Sequence, residues 1–148
     1  PPSRPVQFID GRDLASWMLD AAVEGATGTF NASSPPRMWT MGMLVDVLVA
    51  HARKAGKLVA PRWVDEAKLV EHKITPWTEL PLWIPASDAE SGGFMEFSSA
   101  QAMAQGLRVR PLSQTVDDTA TWLATRDETK AWKSVLSADK ERAIIAAA

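Results

Sequence analysis

The fold turns on residues 6–32, VQFIDGRDLASWMLDAAVEGATGTFNA. Val6 to Ile9 is a short β-like run. Asp10 and Asp13 are side chains of the kind that cap a helix, and behind them Leu14, Met18, Ala21 and Ala22 recur at helical spacing. Gly25 supplies a C-terminal stop. Thr27 to Ala32 reads as a second strand, and the turn-rich Ser33, Ser34, Pro35 and Pro36 break it.

Working outward, the next segments continue the alternation. Thr40 is a good N-cap for a helix that carries Met41, Leu44, Val45, Leu48 and Ala52 on one face, with Gly56 at its end. Lys57 to Val64 looks like a strand interrupted at Pro61, and Asp65 caps a short helix through His72. This strand–helix alternation predicts an α/β fold with a small, mostly parallel sheet packed by several helices. Residues 75–93, rich in Trp and Pro, keep no helical or strand period and read as an ordered, irregular loop of a length that often carries function. Phe94 to Phe97 reads as a short strand, and Ser98 or Ser99 caps a helix that stops at Gly106. Residues 107–111, LRVRP, lead into a helix capped near Ser113, with Leu112, Val116, Ala120 and Leu123 facing inward. The tail, residues 127–148, is helical by propensity with Ser137 as a cap. No repeat and no linker divides the chain, so residues 1–148 form a single domain.

Composition narrows the function. At 148 residues the chain can bury roughly 70% of the surface its unfolded form exposes. Its hydrophobic share of 46% and charged share of 23% are those of a globular protein. The net charge of −2, with Lys and Arg scattered, argues against nucleic acid as a partner. No apolar run approaches the roughly 18 residues of a membrane span, and the Pro-rich start lacks a signal-peptide core. The absence of cysteine removes disulfides, thiolate nucleophiles and cysteine zinc sites, and a cytoplasmic location is the expectation.

Among individual residues, Trp39, Trp63, Trp77 and Trp83 are of a kind to form an aromatic wall around a small-molecule ligand, each with a large apolar face and one N–H donor; filling a loop-rich core is the alternative. Arg37, in the loop beside that wall, suits a substrate carboxylate or phosphate, or else is a solvated loop arginine. Asp10 and Asp13 read as caps rather than a catalytic pair. Asp117 and Asp118, neighbours on a helix, point about 100° apart and read as a solvated face. His51 and His72 have no third ligand at suitable spacing, so no metal site is expected.

Three blocks taken together resemble the carboxy-terminal, substrate-side part of the extended short-chain dehydrogenase/reductases, the NAD-dependent epimerase/dehydratase group. They are residues 6–15, VQFIDGRDLA; residues 28–32, GTFNA, with Thr40-Met41 after them; and residues 104–112, AQGLRVRPL, continuing to Thr119 and Trp122-Leu123. The resemblance implies a substrate-pocket role beside an amino-terminal dinucleotide-binding half, with NAD(P) bound only where that half is present. The family's Tyr-x-x-x-Lys pair has no counterpart here, because the chain contains no tyrosine. The turn Gly25-Ala26-Thr27-Gly28 precedes a strand instead of following one, so it does not fit a dinucleotide site. Ser33-Ser34-Pro35-Pro36 stands where nucleotide-sugar epimerases carry a Gly-rich turn, which argues against a nucleotide-sugar substrate. The expectation is a fragment, a split gene product or a reused domain: as an isolated chain, a non-catalytic small-molecule binding domain that self-associates or pairs with the missing half. Two alternatives stay open, the retained portion of a complete NAD(P)-dependent reductase or epimerase, and a protein-interaction module with a Trp-rich surface.

Overall fold

The computed structural model describes residues 1–91, 93–127, 129–130, 132 and 135–147. Its elements run β1 (Pro5–Val6), α1 (Gly11–Val23), β2 (Trp39–Thr40), α2 (Met41–Lys54), α3 (Glu66–Glu71), a 3-10 turn (Ala89–Ser91), α4 (Ala100–Ala104), α5 (Leu112–Ala124) and α6 (Ala138–Ala146). Helix takes 44% of the structure and strand 4%, so the protein is mostly helical.

The predicted small, mostly parallel sheet is therefore wrong. The one sheet among the described residues has two strands, β1 and β2, paired antiparallel with Pro5 opposite Thr40 and Val6 opposite Trp39. The physical reason is pairing. An extended apolar run becomes a strand only when a second backbone takes up its N–H and C=O groups, and strand propensity mostly reports how side chains fit such a surface. Here the run read as a strand at 6–9 is joined to Ser34 and to the run at 94–97 mainly by one side chain. The Gln7 amide donates to the carbonyls of Ser34 at 2.7 Å and Phe97 at 2.8 Å, and its oxygen accepts the Phe97 N–H at 3.2 Å. A single backbone bond, Ser34 N–H to the Phe8 carbonyl at 3.1 Å, runs beside it. The run at 57–64 lies on the surface without a partner strand, with Leu58 99% exposed.

The helices follow their caps. The Asp10 carboxylate accepts the Arg12 N–H and starts α1, the Thr40 hydroxyl accepts the Met43 N–H and starts α2, and the Ser137 hydroxyl accepts the Lys140 N–H and starts α6. Gly25 and Gly56, just past α1 and α2, adopt the left-handed backbone that closes a helix end (φ 68° and 72°). Some limits shift. Helix α5 begins at Leu112, one residue ahead of the Ser113 cap, with Pro111 at its N-cap. The tail is helical only over α6; Asp127, Thr129, Lys130, Trp132 and residues 135–137 are not, while residues 128, 131, 133, 134 and 148 lie outside the described residues.

Three small cores hold these parts together. Val6 and Trp39 of the sheet meet Leu112 and Val116 of α5, with Phe8 and Trp39 rings 4.8 Å apart and α2 packed alongside α5. Trp17 of α1, Ala102 of α4 and Leu107 form the second. Leu69 of α3, Ile74, Trp83 and Ile144 of α6 form the third. Helix α1 turns Trp17 inward, with Leu14 and Ala21 beside it, and leaves Met18, one of the apolar positions read at helical spacing, 57% exposed. Leu48 and Leu123 are also more exposed than an inward face allows.

Candidate functional site

The Trp- and Pro-rich segment from Thr75 to Pro85 is built under tension. Trp77 and Leu82 adopt positive φ (62° and 64°), a region that bulky side chains enter at about 1–3 kcal/mol each. Such a conformation persists only where neighbours enforce it: the Trp77 N–H is held by the Trp83 carbonyl at 2.9 Å, and two carboxylates fix the chain at Thr75 and just past Pro85. Glu79 accepts the Thr75 N–H at 2.8 Å and the Lys140 ammonium at 2.7 and 2.9 Å, and its carbonyl accepts the Leu136 N–H, which ties the segment to α6. Glu66, the first residue of α3, accepts the Ala86 N–H at 2.8 Å, the Ser87 N–H at 3.4 Å and an N–H of Arg4 at 3.3 Å. The Lys140 and Thr75 bonds hold Glu79 below the usual carboxylate range. Burial pushes Glu66 up, but the Ala86 and Ser87 N–H groups and Arg4 together leave it lowered.

Beneath this clamped segment lies a cavity of about 340 Å³, within the roughly 300–1,000 Å³ of small-molecule sites. Its wall is apolar: Met41 and Val45 of α2, Trp63, Leu69, Leu80, Trp83, Leu136, Ile144 and Ile145. Arg4, Arg62, Glu66 and Glu141 bring charge to it. Among the described residues no Ser, Thr, Cys, His or Lys lines it, so the described lining offers contact and hydrogen bonds without those nucleophiles.

Of the residues singled out by sequence, Trp63 and Trp83 share this cavity. Trp83 is 7% exposed and Trp63 47%. The other three lie elsewhere. Trp39 is buried in the core under the sheet. Trp77 is half-exposed and meets Phe94 edge-on with ring centres 5.5 Å apart. Arg37, itself at positive φ, pairs with Glu96 at 2.7 Å on the surface. Sequence reasoning missed the far wall, Leu136, Ile144 and Ile145, and the clamps Glu66 and Glu79; carboxylates at such positions carry no local pattern that distinguishes them from solvated ones.

A second polar constellation lies where α1, α5 and the segment before α5 meet. The Asp10 carboxylate accepts from Arg12 and from the Thr115 hydroxyl at 2.8 Å, and Arg110 stands 3.6 Å away. Arg12 reaches on to Asp118 at 2.6 Å, and Arg110 pairs with Asp13 at 2.7 Å. The Arg12 bonds hold Asp10 well below the usual carboxylate range, and Arg110 lowers Asp13. Asp10 therefore caps α1 and also anchors α5. Across the other side of α5, His51 Nδ1 of α2 lies 2.6 Å from Asp117. Asp117 and Asp118, read as a solvated face, are nearly half exposed and also serve as cross-links, to His51 and Arg12. No group of three or more His, Asp or Glu among the described residues comes together to hold a metal ion. No described helix is long and apolar enough to cross a membrane.

Comparison of the chain with protein-family models, with curated proteins and with solved structures gives no match.

Proposed function

We propose that this chain is a small-molecule binding domain, without catalysis of its own as an isolated chain, and that its ligand is an apolar compound seated in the cavity under the segment from Thr75 to Pro85. One observation carries the reading: an apolar cavity of about 340 Å³, walled by Trp63 and Trp83, lies against a segment that Glu79 ties down within and Glu66 just beyond its end, and that carries backbone strain at Trp77 and Leu82. Strain of this kind gathers at sites where shape matters to function. A kinship with the substrate side of the extended short-chain dehydrogenase/reductases belongs to the same proposal. It is supported by the way the first and third blocks of the resemblance meet in space, through Asp10 with Thr115, Arg12 with Asp118, and Asp13 with Arg110. NAD(P) enters only with a dinucleotide-binding half beside this one.

The test is a titration with a neutral aryl-alkyl alcohol, 4-phenyl-1-butanol, followed by tryptophan emission. A saturable change, abolished by the cavity-filling Ala60→Trp, is the expected result. A strictly linear response, the same in both proteins, contradicts the proposal.

A second reading, that the chain works against a partner surface, draws on α1. Its outer face leaves Met18 57%, Leu19 70% and Val23 89% exposed, an apolar stripe of the kind that associates. Self-association through this face is compatible with the ligand site, which lies on other elements.

A further inference from the structure

The cavity of the proposed binding site is apolar, but its free polar groups are not balanced between donors and acceptors. Glu66 has its oxygens engaged by the Ala86 and Ser87 N–H groups and by Arg4, so it has little left to offer a ligand. Arg4 spends one guanidinium N–H on Glu66 and keeps the others. Among the described residues Arg62 makes no hydrogen bond or ion pair, and neither do the indole N–H groups of Trp63 and Trp83. Trp83 is otherwise buried, and an indole N–H is a donor with no acceptor capacity of its own. Glu141 is the one lining carboxylate without a side-chain partner among the described residues, and it stands in the first turns of α6, where the helix dipole favours a negative charge. Donors thus outnumber acceptors, and the strongest are guanidinium groups.

Resting on the binding reading above, we infer that the site takes an apolar carboxylate: an aryl or alkyl tail against Trp63 and Trp83, with the acid group held by Arg62, whose planar donors match a carboxylate bidentately. A neutral ligand of the same tail leaves these donors on water. A cationic one brings a like charge to two arginines.

Three compounds with one tail separate the possibilities in calorimetric titrations of the full chain near neutral pH: 4-phenylbutyrate, 4-phenyl-1-butanol and 4-phenylbutylamine. The expected result is that the acid binds about tenfold tighter than the alcohol, the gain of one charge-assisted bond, and the amine weakest. Arg62→Ala should bring the acid down to the level of the alcohol, Arg62→Lys should restore part of the preference, and Arg108→Ala, outside the cavity, should keep it. Equal binding of all three compounds overturns the carboxylate assignment and leaves the apolar site standing. Preference for the amine overturns it in favour of Glu141. Binding by none of the three overturns the site itself, and the carboxylate assignment with it.

Discussion

Asp10 caps α1, accepts the Thr115 hydroxyl and pairs with Arg12, so its truncation strips a helix start, leaves the Thr115 hydroxyl without its acceptor and leaves Arg12 with Asp118 alone. Asp10→Ala is expected to destabilise the fold by about 2 kcal/mol, combining a lost cap with lost hydrogen bonds from Thr115 and the half-exposed Arg12; urea denaturation reads this directly, and a loss within error of zero refutes the anchoring role. Ser34 is the opposite case. It is fully buried, and its hydroxyl oxygen has no hydrogen-bond partner, while its backbone carbonyl takes up Gln7 and Ser99. A buried hydroxyl without a partner costs about 1–3 kcal/mol, so Ser34→Ala is expected to stabilise the protein by about 1 kcal/mol. A clear fall in the denaturation midpoint would show that the hydroxyl has work to do. At this scale the sequence was readable wherever a residue acts on its own neighbours: Asp10, Thr40 and Ser137 cap the helices that follow them. The use of Asp10 by Thr115, 105 positions away, left no local mark.

Among the elements, helices were legible because their information is local, in caps, in periodic apolar positions and in the glycines that close them. Strands were not. Residues 6–9, 27–32 and 94–97 have the composition of strands, but beyond Val6 none of them joins a backbone ladder, and the Gln7 side chain links the first run to the third. Nothing in a run of apolar residues says whether another backbone will arrive beside it. The loop from Thr75 to Pro85 had the right residue types for function, and what holds it came from outside it. Glu66→Ala removes the acceptor for Ala86, Ser87 and Arg4 together. The expected outcome is faster cleavage by a nonspecific protease within residues 80–90, with the secondary-structure signal of α1, α2 and α5 retained; an unchanged cleavage pattern would mean that the loop is held without its clamp.

For the molecule as a whole, Asp10, Asp13, Glu66 and Glu79 all sit below the ordinary carboxylate values of 3.8 and 4.5 when folded. A lowered folded value means that stability is complete above the ordinary value and drains away as pH falls through the folded one. The thermal midpoint is expected to be flat near neutrality and to drop between about pH 5 and about pH 2, and an acid-side plateau over that interval would contradict the ion-pair assignments. The exposed stripe of α1 has its own test: sedimentation equilibrium is expected to give an apparent mass above 16.1 kDa, returned to the monomer by Leu19→Glu. The cavity itself was half legible. Trp63 and Trp83 stood out by type, but the wall they share with Leu136 and Ile144 depends on a chain end brought back by the Glu79–Lys140 pair, 61 positions apart. The seven tryptophans offer the most direct measurement, because each gives one indole N–H signal in a proton–nitrogen correlation spectrum. On titration with 4-phenyl-1-butanol the signals of Trp63 and Trp83 should move together with one saturation curve while those of Trp17 and Trp39 stay in place; movement of Trp17 or Trp39 with Trp63 and Trp83 unmoved would put the ligand somewhere other than this cavity.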